Sequence, residues 1–139
     1  MLSKTDLKRI AKVRLDDAKA LYEAERLDGA TYLCGYVIEI ALKHRICRTL
    51  KWDTFPESAG EFNGFTSFKT HDLDKLLKLS GVEKKVREGF LEEWSIVRTW
   101  NPELRYSRAV SMSRIETANR KSEVLNIINA TEIILIQNQ

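Results

Sequence analysis

A helical hydrophobic period runs almost from end to end of this chain, and strand signals are nearly absent. Such a chain must bury its apolar stripes helix against helix. Ser3-x-x-Asp6 imitates a capping box and opens a first helix to about Leu27. Its stripe is Leu7, Ile10, Ala11, Ala18, Leu21 and Tyr22, with Arg14 on the same face, where it is expected to meet an acid across the bundle. Asp28-Gly29 is the break, with Asp28 as cap of a second helix to about Leu50. Thr70 caps a short helix from His71 to Leu79, which ends near Ser80-Gly81. Ser80-x-x-Glu83 then opens a helix to about Trp100, with Val86, Phe90, Trp94 and Val97 inward, and Asn101-Pro102 stops it. Ser113-x-x-Glu116 opens the last helix, which carries Ile115, Ala118, Leu125, Ile128 and the run Ile133-Ile134-Leu135-Ile136. The pattern predicts an all-α fold: one domain over residues 1–139, an up-and-down bundle of four long helices plus one short helix.

Residues 52–69 break the pattern. Pro56, Gly60 and Gly64 are loop chemistry, yet this stretch holds four of the five phenylalanines. A loop of that length in a small domain is often functional. Its aromatics either pack on the bundle or stack on a ligand.

Charged residues make up 31% of the 139, a globular rather than a disordered composition. Cys34 and Cys47 fall within apolar helical pattern and lack metal-ligand spacing, which predicts a reduced, cytoplasmic protein without metal or cofactor. Met1 to Asp6 hold no apolar run of secretory type, and no segment reaches membrane-spanning length. The net charge of +3 decides nothing, but its distribution is uneven. Lys43, His44, Arg45, Arg48 and Lys51 form one basic segment without an acid. Arg98, Arg105, Arg108, Arg114, Arg120 and Lys121 form a second, against only Glu103 and Glu116. If the two meet, Arg45, Arg48, Arg98 and Arg108 make a phosphate or RNA surface; otherwise they are two solvated faces.

Three constellations carry the chemistry. The first is Gly35-Tyr36-x-x-Glu39-x-x-Leu42-Lys43, where a carboxylate and a lysine one helical turn apart stand in an apolar helix. A charge in that setting is either paired for structure or part of a site. The second is His71-Asp72-Leu73-x-x-Leu76-Leu77, at a helix start. The third is Trp100-Asn101-Pro102-Glu103-Leu104-Arg105-Tyr106, after a helix end. There a guanidinium suits phosphate and an aromatic ring suits a base. Glu39, Lys43, Trp100, Arg105 and Tyr106 are the ligand-binding candidates, with Arg105 a possible partner of Glu39.

In this order, over about residues 8 to 136, the three motifs resemble the HEPN family of small helical domains linked to nucleotides and RNA. The resemblance implies a helical bundle, usually a homodimer, often working beside a minimal nucleotidyltransferase in toxin–antitoxin or defence systems. Some members are metal-independent endoribonucleases that carry an arginine followed, after four to six residues, by a histidine. This chain departs there: no histidine follows Arg98, Arg105 or Arg108 at that spacing, and its two histidines, His44 and His71, lie far upstream. The resemblance thus implies a nucleotide- or RNA-binding domain without the usual catalytic pair. The alternatives are an endoribonuclease with a rearranged site, His71 with Arg105, and a purely structural dimeric module whose Ile133–Ile136 run meets a partner chain.

Overall fold

The computed structural model describes residues 2–98, 100 and 114–139. Helix α1 spans Lys4–Glu23, and the Ser3 hydroxyl accepts the Asp6 amide at 3.0 Å, the expected cap. The helix stops short of Leu27 because the chain turns at Glu25, which takes the left-handed region at φ 60. Helix α2 spans Leu27–Leu50 with Arg26 at its N-cap. Asp28 is therefore no cap: it lies inside the first turn, where the helix dipole favours a carboxylate, and accepts from Arg120 at 2.9 Å.

Helix α3, Leu73–Leu79, begins two residues later than expected. Asp72 rather than Thr70 caps it, by accepting the Lys75 amide at 3.1 Å, and the Thr70 hydroxyl accepts the Asp72 amide instead. His71 is thereby left just outside the helix. The second capping box does not form either. The Ser80 hydroxyl donates to the Leu77 carbonyl and accepts the Val82 amide, so it fastens the turn between helices.

The long fourth helix of the sequence reading is two helices, α4 (Glu83–Gly89) and α5 (Leu91–Val97). Gly89 weakens the helix, and Phe90 leaves helical geometry at φ −137, ψ 37 with its ring packed against the core. Helix α6 spans Arg114–Gln137, and its expected opening at Ser113 lies outside the described residues. The described residues form an all-α bundle of six α-helices. Three are long, at 20, 24 and 24 residues, and three have seven residues each, which corrects the expected four long helices plus one short.

Strand structure among the described residues is one short antiparallel ladder, β1 (Leu2–Ser3) on β2 (Thr54–Phe55), and the Lys4 amide donates to the Asp53 carbonyl beside it at 2.8 Å. The ladder pins the aromatic loop to the start of α1. Phe55 and Phe62 are buried, and the Trp52 ring meets Phe55, Phe65 and Phe68 with centroids 5.2–6.3 Å apart. Of the loop's four phenylalanines Phe65 is exposed and Phe68 is half-buried.

Helix α2 is the axis of the core. Ile38, Leu42 and Ile46 pack with Phe55, Leu73, Leu76, Leu77 and Trp94, while Ala30, Cys34, Val37 and Ala41 face Ala11, Leu15 and Ala18 of α1 and Val124 and Ile128 of α6. Each large side chain so buried contributes about 1.5–3 kcal/mol. Arg14 stays on the surface and pairs with Asp17, not with an acid across the bundle. In the terminal run, Ile134 and Leu135 are buried and Ile133 and Ile136 are exposed. No helix among the described residues is long and apolar enough to cross a membrane.

Candidate functional site

Because the middle of α2 is buried on nearly every face, a carboxylate there must be satisfied by protein. Glu39 is only 3% exposed. Its Oε2 accepts from Lys43 Nζ at 3.1 Å, one turn along the same helix, and its Oε1 accepts from His71 Nδ1 at 2.6 Å. A carboxylate oxygen accepts here, so the proton of this bond sits on His71 Nδ1. The His71 side chain remains 58% exposed while the Glu39 side chain is almost dry. A short bond thus anchors at Nδ1 an imidazole that is itself more than half exposed. Lys43 is half-buried, with its ammonium 5.4 Å from the centroid of the Phe55 ring, which holds it between carboxylate and aromatic face.

The same helix positions Trp100. Gly35 lies one turn before Glu39, and a Cβ at that position would stand 2.0 Å from the Trp100 indole, so only glycine admits the ring. Tyr32 and Tyr36 flank the indole at centroid distances of 6.0 and 5.5 Å, and Trp100 Nε1 is buried with no partner among the described residues. The close approach that Gly35 permits is to an aromatic side chain. Glu39, Lys43, His71 and Trp100 are all arranged along α2; Arg105, Tyr106 and Arg108 lie outside the described residues.

Of the described basic candidates, Arg98 and Arg48 are bonded elsewhere. Arg98 is held by Asp74, with Nη2 donating to Oδ2 at 3.0 Å and Nε to the same oxygen at 3.3 Å. Asp74 also accepts from Trp94 Nε1 at 3.1 Å and Arg87 Nη2 at 3.3 Å. Burial pushes the Asp74 carboxyl up, but the Trp94 and Arg98 bonds and the Arg98 and Arg87 charges outweigh it and hold it below the usual range. Arg48 donates to the Gln139 carbonyl, and Arg45 is half-buried with its Nε unpaired. Asp74 was not singled out in the sequence; an acid in the first turn of a short helix, followed by two arginines and a tryptophan, is its only trace. The second Glu39 oxygen called for a donor beyond Lys43, but nothing in the sequence pointed to His71 as that donor.

Cys34 and Cys47 are buried and free, and burial raises both thiols to about 11, so neither is a nucleophile at neutral pH. Among the described residues no group of three histidines, cysteines or carboxylates is placed to hold a metal ion. Comparison with protein-family models, with curated proteins and with solved structures finds no match for this chain.

Proposed function

We propose that this protein is a nucleotide- or RNA-binding domain of the HEPN type whose ligand meets the face formed by Lys43 and His71, acting in the cytoplasm as a homodimer with a partner such as a nucleotidyltransferase in a toxin–antitoxin or defence setting. The observation that carries this reading is the exposed imidazole on a buried carboxylate. A donor that served only to satisfy Glu39 has no need of water, yet His71 keeps more than half its side chain there. Lys43 supplies a cation beside it, and phosphate oxygens accept from its ammonium. The motif resemblance and the exposed Ile133 and Ile136 support the partnered state. The test is titration of labelled single-stranded RNA and of nucleotides at rising salt. Binding is expected to fall steeply with salt and to weaken about tenfold or more in Lys43→Ala and Arg105→Ala. No binding at about 50 mM salt overturns the proposal.

The Glu39–His71 bond favours a second reading, a metal-independent endoribonuclease. His71 Nε2 would take the proton of a ribose 2′-hydroxyl, and the 2′-oxygen would attack phosphorus. The P–O5′ bond would break to leave a 2′,3′-cyclic phosphate, and the departing oxygen would take a proton from water. Incubation with labelled RNA in EDTA decides it. Cleavage lost in His71→Ala and reduced in Glu39→Gln supports this reading, whereas no cleavage, or cleavage indifferent to His71, ends it.

A further inference from the structure

At the far end of α2 from Gly35, an open groove of about 520 Å³ is lined by Lys4, Thr5, Lys8, His44, Arg48 and Gln139. Four of these are basic and none carries a side-chain carboxylate. Lys4 and Lys8 lie in the first two turns of α1, at the positive end of a 20-residue helix dipole, where lysine opposes helix stability. Lys19, Lys43 and Lys121 each have an acidic partner, while Lys4 and Lys8 have none among the described residues. His44 forms the floor: it is buried, and its Nδ1 donates to the Asn138 carbonyl at 3.3 Å. Burial lowers its pKa, and the charges of Arg48, Lys8 and Lys4 press it lower still against the opposing effect of the Asn138 carbonyl. Three cations from two helices therefore act on one buried ring. Lys4 in the first turn and Lys8 one turn on, without an acidic partner among the described residues, converge with Arg48 on this ring and leave their charge unanswered by the groove's other lining residues.

We propose that Lys4, Lys8, His44 and Arg48 form an anion site that takes a compact, multiply charged phosphate group of diphosphate size. The site is separate from Glu39 and His71 and stands whether or not the function proposed there holds. An open groove with converging cations suits a small polyanion, whose charge answers both lysines at once. Arg48 keeps guanidinium donors beyond the one given to Gln139, and the neutral imidazole closes the floor.

The test is isothermal titration of the full chain with inorganic pyrophosphate at low salt, beside a 5′-hydroxyl RNA octamer. Saturable binding at one site per chain is expected. It should weaken about tenfold or more in the Lys4→Gln, Lys8→Gln double variant and stay within about twofold in His71→Ala. The Lys84→Gln, Lys85→Gln double variant removes the same charge from exposed positions on α4 and should also stay within about twofold. Absence of saturable binding overturns the site, as does equal weakening in both double variants, which would leave net charge as the cause. Octamer binding that depends on Lys4 and Lys8, with no pyrophosphate binding, overturns the compact anion in favour of a strand surface. Circular dichroism of each variant confirms that the bundle is intact.

Discussion

At the residue scale, Glu39 and Gly35 show two different demands on one helix. Glu39 is a charge in a dry wall, tolerable because each oxygen has its own donor. An exposed pair such as Arg9–Asp6 contributes at most about 1 kcal/mol, but an uncompensated carboxylate at Glu39 would cost several times that. Gly35 answers a demand of volume. Gly35→Ala places a methyl group inside the Trp100 ring, so the indole must leave or α2 must shift. Overpacking of this kind costs about 1–3 kcal/mol. A lowered urea midpoint with a red-shifted tryptophan emission is expected, and an unchanged midpoint and spectrum would show that Trp100 does not pack there. The Glu39–Lys43 pairing was legible in the sequence, since a spacing of four fixes a shared helix face. His71 was not legible as a partner, because 32 residues separate it from Glu39 and only the packing of α3 on α2 brings them together.

At the element scale, the joint among α3, α4 and α5 depends on Asp74. Its two oxygens gather Arg87, Trp94 and Arg98 from the two helices that replace the expected long one. Asp74→Ala orphans a buried indole N–H, removes the acceptor of Arg98 and leaves Arg87 with Glu83 alone, and a loss of about 1–3 kcal/mol is expected. Asp74→Asn, which keeps an acceptor for Trp94, should lose less. Equal losses in the two variants, read from denaturant midpoints, would mean that the Trp94 bond contributes nothing. The inward residues of this region were legible: Val86, Trp94 and Val97 are buried and Phe90 is partly so, as a continuous stripe predicts. The break was not. A single glycine is tolerated inside many helices, and what decides the matter is where the Phe90 ring finds its pocket, a tertiary fact.

At the scale of the whole molecule, the buried groups set an acid limit to stability. His44 has a pKa below the ordinary 6.5 when folded, so the unfolded chain takes up a proton first as pH falls. The stability tied to this residue is complete above pH 6.5 and is lost as the pH drops from there toward the folded value. Asp74, whose folded pKa lies below 3.8, adds a second loss, present above that pH and disappearing in stronger acid. Urea midpoints are therefore expected to fall below pH 6.5, and the first part of that fall should flatten in His44→Gln. A decline of the same steepness in His44→Gln would assign it to other groups. The two-residue ladder at the start of α1 has a consequence in time. The Lys4 amide, bound to the Asp53 carbonyl, exchanges its hydrogen with water only when the head of α1 lifts away from the aromatic loop. That one proton is a clock for the opening of the clasp, and its exchange rate measures how often the first helix and the loop part company while the rest of the bundle stays closed.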